Sequence, residues 1–247
     1  MRRKYFNILV FASLILACLS FWAPAQGTGP LNQYKDNIHQ LHLVAQYFTG
    51  SGQANIIQTI TTIAVRSRGS ETFWLIEKDH VDPAYYYRER RVPVGTPITF
   101  FFFIDVFDII KLLQGQGGDP LEIFKLTDHY AVLRESRGRS IPDTVTVPDP
   151  QINEAAIIIL PTRVRLTAPT TYSELSTQIL QVPAESSIFF MGFALKDDDS
   201  THGAPVFVKR EGEWRLVGVR VVHERSTTPD QSAVAKVPSL DELTTKQ

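Results

Sequence analysis

The chain has 247 residues, with 25 Lys and Arg against 26 Asp and Glu, a formal net charge of −1. Setting aside Arg2, Arg3 and Lys4, which belong to the leader described next, leaves 22 basic residues against 26 acidic ones, a net charge of −4. So mild an acidity argues against nucleic acid as a partner, and no basic amphipathic stripe marks a membrane-surface helix.

Residues 1–25 read as a secretory signal peptide. Basic Met1-Arg2-Arg3-Lys4 is followed by an apolar run from Phe6 to Trp22 and then by Ala23-Pro24-Ala25, an A-x-A exit. Asn7, Ser13 and Ser20 dilute the run, which favours cleavage over retention as an uncleaved anchor. Cys18, the single cysteine, lies inside this leader, and Leu16 is too bulky for a regular lipid-attachment box. The expectation is a secreted or periplasmic protein of about 222 residues with no thiol, no disulfide and no stable membrane anchor after cleavage. That length suits one large β domain or two small ones.

Leu31, Tyr34, Ile38, Leu41, Ala45 and Phe48 recur at three- and four-residue steps and predict a helix over 31–48, ended by Gly50-Ser51-Gly52. His39 and His42 would then be partly exposed helix residues. From Ile56 to Val65 the chain is rich in β-branched residues and reads as a strand, and Phe73–Ile76 reads as its return. Val92–Phe103 predicts a strand whose start is pushed to an edge by Pro93 and Pro97, with Phe100–Phe103 deeply buried. Asp105 as N-cap and Gly115 beyond Leu113 favour a short helix between them. Leu121–Leu126 and Tyr130–Leu133 form a hairpin pattern, and Ser136–Pro150 a linker between halves. Beyond it, short strand-like runs cover 155–160, 163–166, 178–182, 187–193, 205–209 and 215–222, a pattern of sandwich or barrel. Ser239-Leu240-Asp241-Glu242 is a capping box that predicts a short terminal helix.

The stretch Ser187–Phe193, then Ala194-Leu195-Lys196-Asp197-Asp198-Asp199-Ser200-Thr201-His202, then Gly203-Ala204-Pro205-Val206-Phe207-Val208 and Trp214–Val219 is strand, polar loop, strand, turn, strand. It resembles the second barrel of the trypsin-like serine proteases, whose loop reads G-D-S-G-G-P. In that loop the serine attacks a carbonyl and the glycines aim N–H groups at the oxyanion. Gly203-Ala204-Pro205 matches G-G-P. Counting back without a gap puts His202 in the nucleophile column and Thr201 in the aspartate column; a two-residue insertion would offer Asp199-Ser200 instead. For the base, Trp74–Val81 could supply His80. Alternatively the histidine column falls near Tyr86, which fits strand spacing better and leaves Lys78–Val81 as a turn. For the acid, the family pattern D-I-A-L-L-K-L resembles Asn153–Leu160, with Glu154 in the column and Asp149 nearby. The 48 residues from Glu154 to His202 are short for a complete second barrel.

The resemblance implies a mainly β, two-barrel fold with an extra N-terminal helix and a short C-terminal one, divided into 26–150 and 151–247. It implies a pseudoprotease that binds a protein or peptide; a serine endopeptidase using Ser200 with His80 and Asp149 or Glu154 is the alternative, and an unrelated secreted β binding module a third. No cofactor is expected. Asp197-Asp198-Asp199 reads as a solvated acidic loop rather than a metal site. Asp128-His129 and Asp79-His80 are sequence neighbours whose side chains diverge if they lie in strands. Tyr85, Tyr86 and Arg88 are the candidate protein-contact patch, since aromatics and arginine dominate hot spots.

Overall fold

The computed structural model describes residues 29–118, 120–163, 170–192, 199–221 and 230–245. The leader with Cys18, the Asp197-Asp198 pair and His223 lie outside them.

A five-residue helix α1 (Pro30–Tyr34) opens the described chain. Six strands follow: β1 (Ile38–Thr49), β2 (Gly52–Arg68), β3 (Glu71–Glu77), β4 (Ile98–Phe103), β5 (Glu122–Leu126) and β6 (Tyr130–Glu135). They form one antiparallel sheet in the order β4-β1-β2-β3-β6-β5, whose two edges meet at a bridge between Phe102 and Leu121. Between β3 and β4 lie a 3₁₀ turn (Lys78–Val81) and helix α2 (Pro83–Glu89). Helix α3 (Val106–Leu113) follows β4, its first turn capped by the Asp105 carboxylate accepting from the Phe107 N–H at 2.9 Å.

The second half contains β7 (Ala155–Arg163), β8 (Thr171–Gln181), β9 (Ile188–Met191), β10 (Pro205–Arg210), β11 (Glu213–Arg220) and β12 (Ser232–Lys236). These close into a barrel in the order β10-β11-β12-β9-β8-β7. A 3₁₀ turn (Asp199–Thr201) precedes β10, and helix α4 (Leu240–Thr244) ends the described chain, with Ser239 Oγ accepting from the Glu242 N–H. The expected two-barrel architecture is present, and the second barrel is complete despite its short spacing. Long β7 and β8 carry much of its wall, while β9 needs only four residues.

The predicted helix over 31–48 is overturned after its first turn: residues 38–49 are strand β1, paired along its length with β2 through the Gly50–Gly52 turn. Leu41, Leu43 and Ala45 face the interior of the first sheet, while Val44 on the opposite face is covered by Phe103 and Ile109. Gln40 and His42 share the face of Val44 and are buried with it, so burial does not follow the polar and apolar alternation. Phe48, counted on the apolar helical stripe, is exposed. The Val92–Phe103 strand starts only at Ile98, since Pro93 and Pro97 bring no N–H to a ladder. As β4 lies at the sheet edge, Phe102 and Phe103 are buried and Phe100 and Phe101 only half so.

Among the described residues, the three largest apolar clusters divide the molecule. One fills the first sheet, around Leu41, Ile60, Trp74 and Leu133. Another fills the closed barrel, around Ile158, Phe189, Val206 and Val217. The third lies between them: Tyr34, Ile38, Ile63, Phe73 and Leu75 from the first half meet Ile159, Ile188, Phe207 and Leu216 from the second. Fully burying such side chains stabilises by about 1.5–3 kcal/mol each, so this seam holds the halves together. Tyr34 stacks on Phe207 with ring centroids 5.1 Å apart and donates its hydroxyl to the Trp214 carbonyl at 2.9 Å.

The interbarrel linker is tied down by Asn37. Its buried amide nitrogen donates to the Ala64 carbonyl (3.0 Å), the Pro142 carbonyl (2.8 Å) and Thr144 Oγ1 (3.0 Å). Truncation to Asn37→Ala is expected to cost about 2 kcal/mol, because it strips the linker of its donor in a dry site. Thermal unfolding should show this as a midpoint lowered by roughly 4–8 °C, and an unchanged midpoint would contradict the assignment.

Candidate functional site

The strands of the first sheet set out the site by simple alternation. On β3, Trp74 and Ile76 point into the sheet interior while Phe73 and Leu75 point to the seam. Continuing the period of two brings Glu77, the last residue of β3, to the seam side. The chain then tightens into the 3₁₀ turn, where three residues make one revolution, so His80 comes round to the same side as Glu77. On β2 the same alternation takes Ile63 and Val65, and hence Thr61, to the seam.

From the second barrel, the turn before β10 lies directly on β2. The Thr61 N–H donates to the His202 carbonyl at 3.2 Å, and the Thr61 hydroxyl donates to the Ser200 carbonyl at 2.6 Å. Gln40 on β1 in turn donates to Thr61 Oγ1 at 3.1 Å. Gly203 has a φ of +73°, and a Cβ there would stand 2.4 Å from the Thr61 carbonyl oxygen. The Gly203 N–H donates to the Arg220 carbonyl at 3.0 Å, and the Arg220 guanidinium reaches back to Thr201 Oγ1. The backbone on both sides of His202 is therefore held, by β2 on one side and β11 on the other.

The result is a cluster of three buried side chains across the seam. Glu77 is 1 % exposed, His80 0 % and His202 2 %. Glu77 Oε2 lies 3.7 Å from His80 Nε2 and 3.5 Å from His202 Nδ1. The two imidazoles face each other with ring centroids 5.3 Å apart and planes inclined by 38°. Tyr85 packs edge-on against His80 at 6.0 Å. Burial pushes the Tyr172 phenol up to about 12, offset in part by a hydrogen bond with Gln40. Burial likewise holds His42 below its ordinary value, with Asp105 opposing the shift.

The structure sorts the sequence candidates. His80 stands at the seam and faces His202. Tyr86 lies behind it, fully buried in the first sheet, with its hydroxyl directed at Gln58 Oε1 (2.8 Å) and the His80 carbonyl (3.2 Å). Ser200 lies in the 3₁₀ turn with its carbonyl held by Thr61; the side chain standing against His80 is the imidazole of His202. Ala204 and Pro205 are buried at the head of β10.

Glu154 belongs to the outer end of β7, where both its oxygens accept from Arg210 at 2.7 and 2.8 Å, and Asp149 engages the same guanidinium through its backbone carbonyl. Among the described residues, the carboxylate that joins the two histidines is Glu77. The contact patch is corrected as well. Tyr85 and Tyr86 are 5 % and 0 % exposed, because Asp82 caps a helix whose inner side carries both rings. Only Arg88 of the three is exposed, and it pairs with Glu89.

Glu77 was missed by sequence reasoning, although Glu77-Lys78-Asp79-His80 carries a three-residue spacing and closes an alternating strand. The acid-bearing strand pattern also has a second match. His129-Tyr130-Ala131-Val132-Leu133-Arg134 fits D-I-A-L-L-K as well as the β7 segment does. It leads β6, the strand paired with β3, and the His129 carbonyl accepts from the Lys78 N–H at 3.1 Å.

No family model matches the chain, and no curated protein sequence matches it. Solved structures do. The catalytically active tobacco etch virus protease, complexed with product, superposes with a TM-score of 0.51 at 14% identity, covering 90% of this chain and 82% of that one. The fold is that of the chymotrypsin-like proteases. The tobacco vein mottling virus protease (TM-score 0.47, 10% identity, 88% and 84% covered) is similar too. So is the active form of the Rv3671c protease of M. tuberculosis (TM-score 0.46, 8% identity, 87% and 85% covered).

This chymotrypsin-like seam depends on a glycine at 203. Gly203→Ala is expected to destabilise the protein by about 3 kcal/mol, from a left-handed backbone and a side chain driven into the Thr61 carbonyl. Denaturant unfolding measures the loss, and a variant as stable as the parent would show that the turn does not lie on β2.

Proposed function

We propose that the protein is an exported, chymotrypsin-fold pseudoprotease that works by binding a protein or peptide rather than by cleaving one. The observation that carries this reading is the imidazole of His202 set against His80 where the resemblance calls for a hydroxyl. Acyl transfer in this fold needs an oxygen nucleophile with a base to take its proton. Here two bases confront each other, and the carboxylate between them has the same solvent-free surroundings.

A binding role is favoured by an open pocket of about 350 Å³ elsewhere along the seam. Its walls come from Thr127 and His129 of the first half, Pro148 of the linker, Ser187 and Lys236 of the second, and Glu242 of α4. Its size suits one or two side chains of a peptide. Export rests on the basic, apolar and small-residue order of residues 1–25. No helix among the described residues is long and apolar enough to cross a membrane.

A serine-directed phosphonate probe tests the central claim. The chain recovered from an exporting host is expected to remain unlabelled. Labelling that disappears in Ser200→Ala would establish the serine endopeptidase instead. Mass spectrometry of the same material tests export processing: the expected N-terminus is Gln26, and a lipidated Cys18 or an intact leader would reverse that part of the proposal.

A further inference from the structure

We propose that Glu77, His80 and His202 form a binding site for one divalent transition-metal ion of the zinc type, which clasps the two barrels together. This goes beyond the pseudoprotease reading and does not depend on it.

The first argument is distance. In tetrahedral zinc sites the metal–nitrogen and metal–oxygen bonds are about 2.0–2.2 Å, which puts neighbouring donor atoms roughly 3.3–3.5 Å apart. Glu77 Oε2 is 3.5 Å from His202 Nδ1 and 3.7 Å from His80 Nε2. Donor atoms of the three residues all lie within 4.8 Å of one another. A single point can therefore be placed roughly 2.4 Å or less from all three atoms, within a few tenths of an ångström of zinc coordination.

The second argument is donor chemistry. Two imidazole nitrogens and one carboxylate oxygen suit zinc and its neighbours, whereas calcium and magnesium prefer oxygen throughout. Imidazole binds as the neutral base, so the ion meets a single negative charge, that of Glu77. The complex carries one net positive charge, and water or a further group completes the fourth position.

The third argument is position. The ligand-bearing turns are fixed before any metal arrives: His202 by Thr61 and Gly203, and His80 by its place in the 3₁₀ turn after β3. Two ligands come from the first half and one from the second, so an ion would bond across the seam. Preorganised ligands lose little freedom on binding, which favours affinity.

The test uses the exported full chain, stripped with a chelator and titrated with zinc chloride alone against a chromophoric competitor. The expected result is one ion per chain, with affinity at least tenfold weaker in Glu77→Gln and in His202→Ala. His42→Asn, a buried histidine on β1 outside the cluster, should bind as the parent does. Cobalt chloride added to the stripped parent should give the intense visible bands of a low-coordinate site with nitrogen donors. This measurement stands even if a variant fails to fold. A cobalt spectrum no different from that of the free aqueous ion would overturn the proposal. So would zinc binding at parental strength in folded His202→Ala, which would put the ion elsewhere.

Discussion

Thr61 is a point at which the two halves of this molecule touch by backbone. Its N–H and hydroxyl take up the carbonyls of His202 and Ser200, and Gly203 allows the approach by having no side chain. These contacts involve no apolar surface, so they add direction to an association that hydrophobic burial alone would leave free to slide. The apolar seam around Ile63, Leu75, Phe207 and Leu216 provides the larger share of the attraction. The Thr61 contacts decide which loop of the second barrel faces which turn of the first.

Glu77 shows how strong that constraint is. The two seam-facing residues before it on β3 are Phe73 and Leu75, and a carboxylate in the same row must leave water. Burying an ionised carboxylate without a partner costs several kcal/mol, so such a group is found only where opposite charge, protons or a metal compensate it. Two imidazoles lie within 4 Å of it, and one of them is delivered by the other barrel. Part of what surrounds the carboxylate is therefore present only in the assembled molecule. The polar centre and the apolar seam are coupled: separating the barrels would expose the second and dismantle the first.

Much of the fold could be read from short-range pattern. The β2 strand, the linker, the Asp105 and Ser239 caps and the order around Gly203-Ala204-Pro205 depend on neighbours a few residues apart. The β1 strand was not legible, because its apolar residues also recur at three- and four-residue steps, and its polar face of Gln40 and His42 is itself buried. Nor was β12, whose Ser232-Ala233-Val234-Ala235-Lys236 is too small and too short to stand out. Within the site, His202 was visible through its place before Gly203. Glu77 was hidden, since its importance arises from where Leu75 points, and that is decided by the second barrel. Tyr85 and Tyr86 misled for the opposite reason. Aromatic residues beside arginines resemble a contact patch, yet the Asp82 cap turns both rings inward.

The backbone around position 202 joins the turn to β2 on one side and to β11 on the other. Contacts that seat the turn run through the carbonyls of 200 and 202 and the N–H of 203. The imidazole of His202 enters the seam beside His80 and Glu77. With His80 it sets two nitrogen donors around one carboxylate. The backbone that seats the turn therefore also sets where those donors stand, and the polar centre takes its geometry from the frame.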